Sequence, residues 1–396
     1  MSALATALVR LGDEVTGADR TLGTPNIKFL ESLGVRVFPD DGSGVDESTD
    51  EVVVSTAIEE TNAGLRRAKE LGIPVTHRAA ALSRALSGHR LVAVAGTCGK
   101  STVTAMLGHV LAECGLDPLC VNGANVPGWE GAVRFGRGEY AVAEVDESDK
   151  SLVAFSPYAA IVTNASADHY SKEEMDEVFD AFVRNCPGPV VDGRARGGAV
   201  TEVDTSLPGL HNRQNAALAL RMALALGCGE AQAREALMSF RGVERRLQRI
   251  GDGAPAVFDD YAHNPEKLHA MWTTLAEKYP RGICAVWRPH GYAPLRKMMD
   301  ALATMFNETI RPCDRLLLLP VYDAGGTTDR SVNYDALLRE ISARGCSRAE
   351  LVAEIDAAYE WCVAHAGEFE CFVTCGARDP GLPELARRLA GGCRRS

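Results

Sequence analysis

Short β-branched runs alternate with longer amphipathic stretches along nearly the whole chain, which is the pattern of a parallel α/β protein. In a first block, Glu14–Gly17 and Glu51–Ser55 read as strands, and the apolar spacing predicts helices at Asn26–Leu33 and Thr61–Leu71. A helical stretch at Arg78–Leu86 then runs into Ser87-Gly88-His89, a linker. The second block opens with an apolar strand, Leu91–Ala95, followed by a glycine-containing loop and a helix to about Cys114. Strands are predicted at Tyr140–Glu144 and Ala159–Thr163, and a helix at Arg213–Leu226 that stops at Gly227. The third block begins near Gly242, with strands at Ala256–Asp259, Ile283–Trp287, Arg315–Leu319 and Cys371–Thr374. Its predicted helices are Pro265–Lys278, Arg296–Phe306, Tyr334–Ala343 and Leu382–Leu389.

At 396 residues the chain is too long for a single ordinary core, so two or three domains are expected. Its net charge of −11 argues against a general nucleic-acid or membrane-surface binder, either of which needs a basic face. A small anionic ligand remains compatible, because local Lys, Arg and backbone N–H groups bind phosphate whatever the total charge. Apolar runs such as Leu316–Pro320 fall far short of the roughly 20 residues that span a bilayer. The first residues lack a basic segment followed by an apolar core, so no secretion signal is read there. The twelve cysteines are scattered without a CxxC pair, and Cys371 and Cys375 sit in an apolar run that suits buried thiols better than metal ligands. A reducing cytoplasm is the simplest compartment.

The strongest local signal is Gly96-Thr97-Cys98-Gly99-Lys100-Ser101-Thr102, between a strand and a helix. Glycines let backbone N–H groups curl around phosphate oxygens. The helix N-terminus adds partial positive charge and Lys100 a full one, while a hydroxyl from Ser101 or Thr102 reaches a magnesium ion. Val94 stands where the longer phosphate-loop pattern has its first glycine. The acidic run Glu144-Val145-Asp146-Glu147-Ser148-Asp149 and the segment Asn164-Ala165-Ser166-Ala167-Asp168-His169 both follow strands. Both therefore fall at the sheet edge where open α/β proteins bind ligands. Carboxylates and an imidazole there suit a metal that neutralises a nucleotide.

These motifs continue in order with Gly209-Leu210-His211-Asn212-Arg213-Gln214-Asn215, Arg245-Arg246-Leu247-Gln248 and Asp259-Asp260-Tyr261-Ala262-His263-Asn264-Pro265. Together they resemble the Mur ligases across nearly the whole chain, and most of all the branch that adds L-alanine to UDP-N-acetylmuramate. The resemblance implies three α/β domains. These are an incomplete Rossmann-like domain at 1–88 for the UDP-sugar, a central parallel-sheet ATPase at 89–240, and a Rossmann-like domain at 241–396 for the amino acid. It implies an ATP- and Mg2+-dependent ligase that phosphorylates a carboxylate and lets an amine attack the acyl phosphate. Residue by residue, Lys100 and the loop from Gly96 to Thr102 would hold the phosphates, and Ser101, Glu144 and His169 the magnesium. Asn212 and Asn215 would help seat the nucleotide, with Arg246 and Asp260 reaching it from the last domain. His263 would assist the amine, and Ser55, Asn122, Ser148, Asp149, His263, Asn264 and His290 would meet the substrates. No nucleic acid or membrane is implied as a partner.

Three departures stand out. The family opens with a strand and a glycine-rich turn, whereas Met1-Ser2-Ala3-Leu4 reads as following that turn. Between Cys186 and Gly209 the family has several further strands, and Asp192–Gly198 reads here as a bridging loop. Alanine-adding ligases grip the amino-acid carboxylate with two arginines in a PHRYxR-like segment. Here Gly291 and Pro294 occupy those positions in Pro289-His290-Gly291-Tyr292-Ala293-Pro294-Leu295-Arg296. A Mur-type ligase with another carboxylate and amine pair therefore remains an alternative, as does a silent nucleotide-binding regulator. Cys98 is an unusual loop residue, and oxidation sensitivity there is a further expectation.

Overall fold

The computed structural model describes residues 1–146, 151–165, 172–194, 202–251, 253–323 and 334–392. The chain divides into two compact units, Met1–Val243 and Glu244–Ser396. The first unit contains the residues of the first two expected domains.

Among the described residues, the first unit has ten strands: β1 (Thr16–Asp19), β2 (Arg36–Pro39), β3 (Val52–Val54), β4 (Val75–His77), β5 (Arg90–Ala95), β6 (Leu119–Val121), β7 (Val133–Arg134), β8 (Tyr140–Glu144), β9 (Ala159–Val162) and β10 (Val190–Asp192). β1 pairs with β2 and β3 with β4, each in parallel. The larger sheet runs β10-β9-β5-β8-β6-β7, parallel except for β7. Alternate residues of β5 face opposite layers, as the pleat requires. Val92 and Val94 pack on the helices Lys100–Glu113, Leu210–Ala225 and Glu230–Ser239. Leu91, Ala93 and Ala95 pack on the other side, against Ala7, Ala79, Leu86 and Phe179. Burial on both faces explains why β5 is an unbroken apolar run rather than an alternating one.

The second unit holds β11 (Gln248–Arg249), β12 (Ala256–Asp260), β13 (Ile283–Trp287), β14 (Arg315–Leu318), β15 (Ala349–Leu351) and β16 (Cys371–Cys375). They form one sheet in the order β11-β12-β16-β13-β14-β15, parallel except for β11. The helices Pro265–Lys278, Tyr292–Thr309 and Tyr334–Ala343 cover one face, and Ile355–Ala364 with Gly381–Gly392 the other. Cys371 and Cys375 are buried in this core, where desolvation pushes both thiols well up, as expected of structural cysteines. No helix of the described residues is long and apolar enough to cross a membrane.

Local chemistry accounts for several boundaries. Thr24 and Asn62 cap the helices Pro25–Ser32 and Ala63–Leu71 by accepting from Ile27 and Leu65 amides. The first strand lies two residues later than the pattern suggested. The preceding helix closes through Gly12 (φ 105°) and the Asp13 amide, which bonds Leu8 O at 3.1 Å. Two helices start earlier than expected, at Leu210 and Tyr292, because Gly209 and Gly291 take positive φ and turn the chain into them. Pro294 is tolerated in the second of these, since first-turn amides have no helical acceptor.

The expected bridging loop at Asp192–Gly198 begins as strand, for β10 ends at Asp192. Arg194 follows with only 5% of its side chain exposed and reaches Asp176, Asp180 and Asp192 at 3.1, 2.8 and 2.6 Å. Replacing Arg194 by Ala leaves three carboxylates without their shared cation. Because the acids are themselves partly solvated, the expected loss is about 2 kcal/mol in a urea unfolding measurement. A loss below about 0.5 kcal/mol, the scatter of ordinary surface changes, would remove this staple from the account.

Candidate functional site

The loop after β5 stands between the carboxyl ends of β8 and β9, its neighbours in the sheet. Two glycines are required by space as well as backbone. A Cβ on Gly96 (φ +125°) would lie 2.1 Å from Thr163 Oγ1, and one on Gly99 (φ +85°) 2.6 Å from Asn215 Oδ1. The loop is gripped from the end of β9. Thr163 Oγ1 and Asn164 Nδ2 donate to Cys98 O at 2.6 and 2.9 Å, while Asn164 Oδ1 accepts from the Cys98 amide at 2.9 Å. The Thr97 amide donates to Asn164 O at 3.3 Å.

Two loop amides expected to face phosphate are thus engaged with Asn164. The donors that point out of the loop are those of the first turn of Lys100–Glu113, which have no acceptor inside the helix. Lys100 Nζ folds back to Gly96 O at 2.6 Å, placing its charge over the loop. Ser101 and Thr102 are buried beneath it.

Asn212 and Asn215 are buried on the neighbouring helix. Asn212 Nδ2 donates to Pro208 O at 2.7 Å, and Asn215 Oδ1 presses against Gly99. Glu144, ending β8, accepts from the Gly123 amide at 2.8 Å. A Cβ on Gly123 would meet that carboxylate at 2.4 Å. Asn122, just past β6, is 3% exposed and donates to Ala124 O, while its buried Oδ1 has no partner among the described residues. Asp146 pairs with Arg78 at 2.8 Å. Ser55 lies just past β3, half-buried. Ser148, Asp149, Asp168 and His169 lie outside the described residues. Among the described residues no group of three His, Cys, Asp or Glu side chains is arranged to hold a metal ion.

The remaining expected residues gather at the carboxyl edge of the second unit. Arg245 (φ 58°) bonds Asp259 at 3.0 Å and Gly376 O at 2.6 Å, while Arg246 lies over the Tyr261 ring. Asp260 accepts from the amides of Leu247 and Ala262 at 2.5 and 2.6 Å. Burial nevertheless raises it to about 6, against the pull of Arg246. His263 Nδ1 is 2.9 Å from Tyr261 O, and its ring meets His290 edge-to-face at 4.8 Å. Burial, with Lys267 nearby, lowers His263 to about 4, and burial also lowers His290. Asn264 is buried and caps the helix Pro265–Lys278 by accepting from the Lys267 amide at 3.0 Å. The sequence reading assigned no role to Thr163 and Asn164. Their signal was the polar Thr-Asn pair that ends an apolar strand.

The chain is similar to known proteins along its length. The profile of the Mur ligase family, catalytic domain, matches residues 1–90, and that of the Mur ligase, glutamate ligase domain, matches residues 245–378. A UDP-N-acetylmuramate–L-alanine ligase of Gloeobacter violaceus is 31% identical, covering 98% of this chain and 93% of the relative. The crystal structure of a UDP-N-acetylmuramate–alanine ligase from Thermotoga maritima superposes with a TM-score of 0.82 at 24% identity, covering 99% of this chain and 96% of the other. A murein peptide ligase from Psychrobacter arcticus superposes at 0.65 with 20% identity, covering 100% and 97%.

Two predictions follow from the geometry. Gly96→Ala and Gly99→Ala each drive a methyl into Thr163 or Asn215, and each should weaken ATP binding by roughly tenfold or more in a nucleotide-displacement titration. Unchanged affinity would mean that this loop is not the cradle. The second concerns pH. Asp260 holds its proton more tightly folded than unfolded, so its contribution to stability falls as pH rises from about 4 to about 6. His263 binds its proton less tightly when folded, so its contribution rises from about pH 4 to the ordinary histidine value of 6.5. Relative to the parent chain, Asp260→Asn should steepen the gain in stability over this window, and His263→Gln should reduce or invert it. Denaturation midpoints at pH 4, 5, 6 and 7 read the difference, and parallel curves for all three proteins would contradict it.

Proposed function

The chain belongs to the Mur ligase family of ATP-dependent amide-forming ligases, and we propose that its reaction joins L-alanine to the carboxylate of UDP-N-acetylmuramate. The observation that carries this reading is the end-to-end match to an alanine-adding ligase. Both substrates are polar and charged, which suits a cytoplasmic reaction in the supply of cell-wall precursors.

The chemistry explains why such residues are needed. A carboxylate resists attack by an amine because its carbonyl is electron-rich and its leaving group would be an oxide. ATP supplies the phosphoryl group that converts it to an acyl phosphate. The amine nitrogen then forms the C–N bond, phosphate departs with the C–O electrons, and the amine loses a proton. Two anions must approach for the first step, so cations and oriented dipoles dominate the barrier. Lys100 and the first-turn amides of Lys100–Glu113 hold phosphate oxygens in this reading. Gly96 and Gly99 leave the loop room to approach them, and Asn212 and Asn215 back the loop from the neighbouring helix.

Magnesium fits the oxygen-donor character of Ser101 and Glu144, and these two would hold it together with phosphate oxygens. Neutral His263 carries its proton on Nδ1, beside the Tyr261 carbonyl, which leaves Nε2 as an acceptor for the amine. With its imidazole lowered to about 4, it is better suited to orient that amine than to strip it.

One observation favours a second reading, a Mur-type ligase with another amine: Gly291 and Pro294 bring no charge to the start of the helix Tyr292–Thr309. Phosphate release decides between the two. The first reading expects ATP turnover that requires both UDP-N-acetylmuramate and L-alanine, and a drop of about a thousandfold in Lys100→Ala. Turnover with a different acid and amine pair alone supports the second. Turnover with no pair at all would refute both.

A further inference from the structure

β16 lies between β12 and β13, so the turn that follows it, Gly376-Ala377-Arg378-Asp379, rises between the Tyr261–His263 and Arg288–His290 segments. Both ends of this turn are fixed. The Gly376 amide donates to Asp260 O at 3.2 Å, and Gly376 O accepts from Arg245 Nη2 at 2.6 Å. Asp379 is 3% exposed and accepts from Arg288 Nη1 at 2.9 Å and from the Gly381 amide at 2.8 Å. Between these anchors Arg378 is exposed and held at φ +64°, a left-handed conformation that costs a residue with a side chain.

The Arg378 guanidinium has no ion-pair or hydrogen-bond partner among the described residues, and neither has the Lys267 ammonium on the first turn of Pro265–Lys278. The acids nearby are already engaged: Asp259 with Arg245, Asp260 with two amides, and Asp379 with Arg288. Arg378 and Lys267 lie close enough to His290 to help disfavour its protonated form. The His263–His290 pair borders a closely packed apolar patch formed also by Trp287, Pro294, Leu295 and Met298. The helix bordering that patch has no cation in its first turn, Tyr292–Leu295; Arg296 and Lys297 follow in the next turn, and Arg296 already has a partner. Two cations without a partner among the described residues, beside imidazoles that resist protonation and an apolar patch, suit a small molecule with one carboxylate and little apolar bulk.

We propose that Arg378, assisted by Lys267, binds the carboxylate of the amino-acid substrate beside the His263–His290 pair. The geometry thereby assigns to a turn after β16 a task that the start of the helix Tyr292–Thr309 has no charge to perform. This assignment rests on the ligase reading above, which names an amino acid as the amine.

The test titrates the full chain, labelled at histidine, with L-alanine, L-alaninamide and inorganic phosphate while the imidazole NMR signals are followed. L-alanine should shift the signals of His263 and His290 at concentrations roughly tenfold or more below those needed for L-alaninamide, since a charge-assisted contact is lost in the amide. Arg378→Gln should erase that preference, Arg378→Lys should restore part of it, and Lys267→Gln should reduce it. Arg378→Gly relieves the backbone strain and should fold at least as well, yet lose the preference, which separates recognition from stability. Equal affinity for alanine and its amide in the parent protein would overturn the proposal. So would a preference that persists in Arg378→Gln, or displacement of alanine by phosphate at lower concentration than alanine itself. Phosphate release is read separately. Absence of turnover with a carboxylate preference intact would fell the ligase reading and support the subsite.

Discussion

The glycine loop keeps its shape because Thr163 and Asn164 hold the Cys98 peptide group by both its carbonyl and its amide. Everything else at the carboxyl edge of the first sheet depends on this grip. Gly96 must pass beneath Thr163 with no side chain, so the loop turns sharply enough to start the helix Lys100–Glu113 directly. The first-turn amides of that helix have no acceptor within it, and Lys100 adds its charge above Gly96. The Asp192–Gly193 turn is stacked behind: a Cβ on Gly193 would lie 2.4 Å from Thr163 O. Through this contact the Arg194 staple on β10 supports the strand end that supports the loop. The phosphate site proposed for this loop is only as well ordered as the groups that fix its backbone, and those groups are polar, short and largely buried.

The second unit uses the opposite device. Its acid and imidazoles are largely buried, so their charged forms are costly. Asp260 is raised and His263 lowered by the same desolvation, although two backbone amides and a nearby arginine favour the ionised acid. Two imidazoles in edge-to-face contact are stable together only when at least one is uncharged, and burial secures that. Beside them stand Arg378, which is exposed, and Lys267, neither with an ion-pair partner among the described residues. The strained φ of Arg378 and of Arg245 marks the same edge, where the turns are tied to backbone partners rather than left to their preferred conformations.

What sequence alone revealed follows from how local each signal is. The phosphate loop was readable because an apolar strand, two glycines, a lysine and a hydroxyl stand within a dozen residues. The long strands β5, β8, β12, β13 and β16 were readable as apolar runs, since each is buried on both faces. Of the three-residue strands, β3 was readable from its Val52-Val53-Val54 run, whereas β4, β6, β10 and β15 were not, because so few residues of mixed type carry no periodicity. The helix Tyr292–Thr309 was placed four residues late because Gly291 and Pro294 look like breakers, whereas a positive-φ glycine and a first-turn proline begin a helix. The partners of Cys98 lie 65 and 66 residues away, and Arg378 stands far along the chain from both histidines it borders. Such contacts are tertiary facts that no window of sequence contains. Asn264 shows the converse: a motif residue expected at substrate that spends its side chain on capping a helix.

The proposed function rests on one chemical claim, that a substrate carboxylate is activated as an acyl phosphate before an amine displaces it. An oxygen-isotope experiment tests that claim most directly. UDP-N-acetylmuramate labelled with ¹⁸O in its carboxylate is incubated with the enzyme, ATP and L-alanine, and the released phosphate is analysed by mass spectrometry. One labelled carboxylate oxygen in each phosphate is the result the account predicts, because the C–O bond that breaks began in the carboxylate. Unlabelled phosphate alongside amide product would contradict it.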